Sequence, residues 1–300
     1  MSARDTFALV ILGAIWGGSF IFMRVAAPEF GVFALVEVRT VMATLIMLPF
    51  LLAAGGWRDI WAHGWKIAFI GLTNTAIPFV LFNYSSLYLE AGINAILNAT
   101  APMFGALVAL LWLGDKLRLS SLAGLLTGFI GVVVLSAHKT GSGDVSIVPI
   151  LAACSATACY GVAACAMKKW LSGVRPLVVA TGSQIWASLF LLPFSLATLP
   201  EAMPSAIAWV NALALAAGGT GIAYLLYFHL IASAGPAKAI SVGYLVPLFG
   251  IIWGILFLNE TLSLQTMTGG VLILFGVALT TGVAGRLVHS GKKQNTTERP

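Results

Sequence analysis

The chain has 300 residues, 59% hydrophobic and 9% charged, where a soluble domain carries about 25% charged residues. That balance excludes a water-soluble globular fold. With no basic stripe on a polar face, the net charge of +6 does not mark a nucleic-acid binder.

Apolar runs long enough to cross a bilayer core of about 30 Å recur from end to end. They cover 6–24, 33–54, 66–87, 93–113, 121–138, 147–167, 177–199, 207–231, 238–258 and 265–285. Ten such spans leave short loops and the polar tail HSGKKQNTTERP, with no room for a soluble domain. The first run has the length of a signal-peptide core. Its Trp16-Gly17 has a counterpart in Tyr160-Gly161, however, so it is read as part of the fold.

Within the first span, Trp16, Ser19, Phe20 and Met23 lie together, and no acidic residue occurs. The second holds Glu37, Arg39 and Pro49. Arg39 is expected to snorkel to the outer interface, its stem along apolar surface and its head in water. The third contains GLTNTAIPFVLFNYSSLYL. Read as a continuous α-helix, it places Thr75, Phe79, Phe82 and Ser86 on one face, with Asn83 and Tyr84 at its border. The fourth has the stripe Asn94, Asn98, Ala101 and Gly105, together with Pro102. The fifth carries Gly124, Gly128 and Gly131, small residues that let helices approach closely. The sixth holds Tyr160 and all three cysteines, Cys154, Cys159 and Cys165. An odd number in one segment supplies no disulfide framework. The seventh contains Pro193, and the eighth the stripe Thr220, Tyr224 and Tyr227 with an interfacial His229. The ninth has Ser241, Tyr244 and Pro247, and the tenth Gly269 and Gly276.

The segment PMFGALVALLWLGDKL from Pro102 returns as PLFGIIWGILFLNETL from Pro247, identical at six of sixteen positions and offset by 145 residues. Leu48-Pro49-Phe50 returns as Leu192-Pro193-Phe194, and Trp65 as Trp209, at an offset of 144. The chain therefore reads as two copies of five spans each. Five is odd, so the second copy must enter the membrane from the opposite side, an inverted repeat of the kind that builds many secondary transporters. Lys and Arg number 13 in the loops on the N-terminal side and 2 on the other. Positive charge stays cytoplasmic, which puts both termini inside.

Several of these features together resemble the drug/metabolite transporter superfamily, in particular its ten-span EamA-type members. They are Trp16-Gly17, Arg39, Pro102 with Asp115, Pro247 with Glu260, and the glycine-rich fifth and tenth spans. The aromatic interior is similar to that of the bacterial aromatic amino acid exporters. The resemblance implies an all-α integral membrane protein of ten transmembrane helices, arranged as two inverted five-helix repeats around a central cavity. Residues 1–144 would form the first repeat, 145–286 the second, and 287–300 a cytoplasmic tail. In the small multidrug-resistance relatives a glutamate in the first helix carries the proton. Its absence here speaks against proton/drug antiport.

The expected activity is secondary export of amino acids, aromatic or apolar ones favoured, across a bacterial inner membrane. Other metabolites or drug-like solutes are the alternative substrates. A lipid enzyme or a receptor is the alternative class; neither needs matched halves. Polar residues on the stripes either line a cavity or bond between helices. The candidate substrate contacts are Trp16, Phe20, Phe79, Asn83, Asn98, Tyr160, Tyr224 and Tyr244. The paired prolines Pro49/Pro193 and Pro102/Pro247 are candidate hinges, because proline removes a helix hydrogen bond. No P-loop, zincin or dinucleotide motif is present. The expected partners are thus a small molecule and the bilayer, with no cofactor, ATPase subunit or nucleic acid.

Overall fold

A computed structural model describes residues 1–141 and 146–282. The loop at 142–145, the repeat boundary within it, and the charges Arg286, Lys292, Lys293 and Arg299 lie outside the described residues. Among the described residues every regular element is helical. This is the response of a polar backbone with apolar side chains, which must satisfy its own hydrogen bonds away from water.

Among the described residues eight helical stretches are long and apolar enough to cross a membrane: α1 (Ala3–Phe30), α2 (Val32–Ala53), α3 (Gly64–Ser86), α4 (Ala91–Leu113), α5 (Leu119–Ala137), α6 (Val148–Trp170), α7 (Pro176–Ala197) and α8 (Ala206–Ala234). Two shorter apolar helices follow, α9 (Val242–Leu258) and α10 (Leu264–Thr280). The sequence predicts longer ninth and tenth spans. The ninth differs because its first residues form a separate short helix, Pro236–Ala239, ahead of α9. Local chemistry sets the helix ends. Ser2 and Asp5 form a reciprocal capping box at the start of α1, which satisfies two free N–H groups. Gly31, at φ 73°, reverses the chain between α1 and α2 in one residue, a conformation that suits glycine.

Three stretches inside these helices are π-helical: Gly71–Ala76 in α3, Ala109–Leu113 at the end of α4, and Ala217–Ile222 in α8. The first and third fall in corresponding places of the two copies. The sequence reading treats these helices as regular and misses all three.

The helix contacts come in matched sets. Helix α1 packs on α8 and α9 as α6 packs on α3 and α4. Helix α2 packs on α8 as α7 packs on α3, while α2 with α7, α4 with α9, and α5 with α10 meet their own counterparts. Glycines make the close approaches. A Cβ on Gly17 would lie 2.7 Å from the Gly250 nitrogen, and one on Gly161 would lie 2.8 Å from the Gly105 nitrogen. Gly17 matches Gly161, and Gly105 matches Gly250, so the same crossing is built twice. The glycine of each aromatic-glycine pair thus seats its helix against backbone.

Polar ties gather the loops into two groups. Arg175 bonds Asp59 at 2.7 Å and Lys168 bonds Asp115 at 2.9 Å, which joins the α2–α3, α4–α5 and α6–α7 connections at one end. At the other end Glu29 accepts from the Ser205 hydroxyl at 2.8 Å. There too Glu260 accepts from the backbone N–H of Ala91 at 2.6 Å and of Gly92 at 3.0 Å. Asp115 and Glu260 are repeat counterparts with different partners. All three cysteines are free.

Candidate functional site

A cavity of about 370 Å³ lies among α1, α2, α3, α4, α6, α8 and α9. Its wall is largely made of residues that correspond between the copies: Trp16 with Tyr160, Asn74 with Gly219, Phe79 with Tyr224, Phe82 with Tyr227, and Ala101 with Val246. Ser19, Phe20, Met23, Arg39 and Asn98 complete it. The rings contact one another across the wall. Trp16 meets Tyr227 at a centroid distance of 5.3 Å, and its counterpart Tyr160 stacks on Phe82 at 6.2 Å. Trp16 also meets Tyr224 at 6.3 Å, and Phe20 meets Phe82 at 5.6 Å. Such rings offer apolar faces with polar edges or hydroxyls, and pair best edge-to-face or offset.

Six of the eight candidate contacts, Trp16, Phe20, Phe79, Asn98, Tyr160 and Tyr224, reach this wall. The other two do not. Asn83 is fully buried, and its amide donates to the Val32 carbonyl at 3.3 Å. The Tyr244 hydroxyl is bonded to Thr281 at 2.7 Å. Asn94, also on a predicted stripe, bonds Ser85 at 2.7 Å and Ser86 at 3.3 Å. These polar groups hold helices together.

Arg39 corrects the sequence reading outright. It is 7% exposed and faces the cavity, not the outer interface. Its Nε donates to Thr220 Oγ1 at 2.8 Å, and its Cζ sits 3.6 Å from the centroid of the Phe79 ring. A guanidinium over an aromatic face is attracted by the ring quadrupole. Glu37, two residues earlier, points elsewhere and accepts from Ser188 on α7.

The π segments explain two further misses. A regular helix puts Thr75 with Phe79 and Thr220 with Tyr224. The wall instead uses Asn74 with Phe79 and Gly219 with Tyr224. Each spacing is five residues, the hydrogen-bond step of a π-helix. The extra residue in the turn moves the face by one position in both copies. The signal available in the sequence is composition: GLTNTA and AGGTGI are poor helix formers, rich in Gly, Thr and Asn.

The candidate hinges occupy two kinds of position. Pro49 and Pro193 lie inside the continuous helices α2 and α7, and Pro247 lies inside α9. Pro102 sits where α4 resumes after a break at Ala99 and Thr100.

Apolar membrane-length helices around a polar-aromatic cavity define a class, the multi-pass membrane transporters. The chain belongs to the EamA-like transporter family, whose description matches residues 6–137 and again residues 147–282. It is accordingly a transporter and not an enzyme. It is 22% identical to an uncharacterized transporter of Archaeoglobus fulgidus, over 90% of this chain and 95% of that one. It is 27% identical to a probable terminal-alkyne amino-acid exporter of Streptantibioticus cattleyicolor, over 92% and 93%. It is 26% identical to the uncharacterized inner membrane transporter YedA of Escherichia coli K12, over 92% and 90%. A solved crystal structure shares the fold with a TM-score of 0.66 at 19% identity, over 96% of this chain and 99% of that one.

Proposed function

We propose that the chain exports amino acids with aromatic or apolar side chains by alternating access, with ten crossings forming two inverted five-helix halves. The single observation that carries this reading is the cavity wall, in which five pairs of corresponding residues face one space. Similar halves around one site can exchange conformations and so open it to either side. The matched helix contacts and the family match to each half support the same reading. The α9 and α10 helices are 17 residues each, about 25 Å at 1.5 Å per residue. That length serves as a crossing with modest local thinning of the bilayer. The name of the Streptantibioticus cattleyicolor relative supports an amino-acid substrate, and the loop charges support a cytoplasmic location for both termini in a bacterial inner membrane. Trp16, Phe20, Phe79, Asn98, Tyr160 and Tyr224 enter as substrate-contact positions and the four prolines as hinge positions, while Asn83 and Tyr244 serve helix packing.

The test is counterflow in proteoliposomes with a panel of labelled amino acids. Exchange of phenylalanine, tryptophan or leucine above empty liposomes is the expected result. No exchange of any amino acid alongside exchange of another metabolite class would overturn the substrate reading.

Cavity lining is open to a chemical check. Cysteine placed at Trp16, Asn98 or Tyr160, in a chain lacking Cys154, Cys159 and Cys165, should react with a water-soluble thiol reagent. Cysteine at Leu111, which is 77% exposed on an apolar helix face, should not. Removing one ring by Ala substitution should weaken affinity by about 2- to 13-fold, from the 0.5–1.5 kcal/mol of an aromatic pair.

Replacing Pro102 or Pro247 by Ala should leave the protein folded and slow exchange, because the break in α4 ahead of Pro102 and the bend at Pro247 lose the residue that favours them. Wild-type exchange rates in both variants would make these prolines ordinary packing residues.

A further inference from the structure

Among the described residues Arg39 has no ion-pair partner. A guanidinium carries five N–H donors. Its Nε is used by Thr220, and its Nη1 has only the Met23 sulfur at 4.0 Å. The ion pairs Lys168–Asp115 and Arg175–Asp59 lie elsewhere. No Asp or Glu lines the cavity. Isolated buried charges are strongly unfavourable unless paired, so the wall presents an unfilled demand for an anion.

The surroundings narrow the anion. The free edge of a guanidinium fits a carboxylate through two parallel hydrogen bonds. The position corresponding to Arg39 in the second copy is Ser183, so the second half adds no further cation there. The cavity therefore suits a single negative charge. The rest of the wall, with Trp16, Phe20, Phe82 and Tyr160, is mostly ring surface, which suits an attached apolar group and not a free phosphate.

We infer that Arg39 anchors the carboxylate of the transported solute, so that the cavity selects amphipathic monocarboxylates and zwitterions over the corresponding amines. This deepens the transporter reading and rests on it. Phe79 holds the guanidinium from one side and Thr220 fixes Nε, which leaves the Nη groups for the solute.

Isothermal titration of the full chain in nanodiscs tests it with two matched sets. The first is L-phenylalanine, 3-phenylpropionate and phenethylamine. The second is L-leucine, 4-methylpentanoate and isopentylamine. Within a set, the tighter acid should bind about 10- to 150-fold better than the amine, the range of hydrogen bonds to a charged group. Arg39→Gln should remove that preference, and Arg39→Lys should keep part of it. If the fatty acids bind and the amino acids do not, the anchor stands and the amino-acid reading falls. If an amine binds within threefold of its acids, the anchor is wrong while the transporter reading survives. If neither acid in either set binds at 10 mM, the anchor is also wrong. The wild-type series decides the matter even where Arg39 variants fold poorly.

Discussion

Gly276→Val should lower the melting temperature markedly. Helices α5 and α10 meet through glycine faces. A Cβ on Gly276 would lie 2.5 Å from the Gly128 nitrogen and 2.6 Å from the Gly124 oxygen. From the other side, a Cβ on Gly124 would lie 2.5 Å from the Gly276 oxygen. The obstacles are backbone atoms, which cannot rotate aside, so the helices must separate along the contact. Overpacking of this kind costs about 1–3 kcal/mol, and a β-branched side chain belongs at the upper end. At 3 kcal/mol the melting temperature in detergent should fall by roughly 6–12 °C. Gly243→Ala is the control, because nothing lies within 4 Å of where its methyl group would sit; it should melt at or slightly above the wild-type temperature. A wild-type melt for Gly276→Val would mean that the two helices do not touch through these faces.

The second large effect concerns Glu260. Its carboxylate closes two backbone N–H groups at the start of α4, those of Ala91 and Gly92. Glu260→Ala orphans both, and an unsatisfied buried donor costs about 1–3 kcal/mol. The loss should total about 2–6 kcal/mol. The two N–H groups use different oxygens of the carboxylate. Glu260→Gln keeps one acceptor and puts an NH2 donor in place of the other, so its stability should fall between those of the wild type and Glu260→Ala.

Acidity provides the finer check. Burial pushes the Glu260 carboxyl above its usual value, while its hydrogen bonds from Gly92 and Ala91 oppose that shift. A carboxyl with a raised folded pKa contributes stability below its unfolded value, about 4.3. That contribution is lost as pH rises through the folded value. The wild-type chain should therefore lose stability relative to Glu260→Gln across that window. A melting difference independent of pH would count against the buried carboxylate.

Much of this architecture is legible in the residues because it rests on patterns that repeat. Two aromatic-glycine pairs 144 residues apart locate both a helix crossing and a cavity wall. The reason is simple: a small residue is needed against backbone, and its neighbour is left facing inward. The glycine faces of α5 and α10 are visible for the same reason. Periodicity misplaces Thr75 and Thr220 because it assumes one helix type, and a π turn changes the phase while leaving only a compositional trace, the weak helix formers of GLTNTA and AGGTGI. Arg39 is misplaced because an arginine six residues into a span has two opposite solutions, water or an interior partner. Its partners, Phe79 and Thr220, come from helices distant in sequence. Asn83 and Tyr244 show the limit of composition: a polar residue on an apolar helix must find a partner, and only packing decides whether the partner is solute or protein.

On the alternating-access proposal, the unequal partners of Asp115 and Glu260 would bear on how the two facings are populated. In an exchange of the two halves, Asp115 would take the role of Glu260 at the opposite end. Its targets would be the residues corresponding to Ala91 and Gly92, which are Pro236 and Ala237. A proline has no amide hydrogen, so that lock offers one donor where its counterpart offers two. A hydrogen bond to a charged group contributes about 1.5–3 kcal/mol, which is about a 10- to 150-fold ratio of populations. The two arrangements would thus be unequally occupied at rest, with the one that holds the Glu260 contacts the major state. Solute binding, or a change at position 236, would be the means of redistributing them.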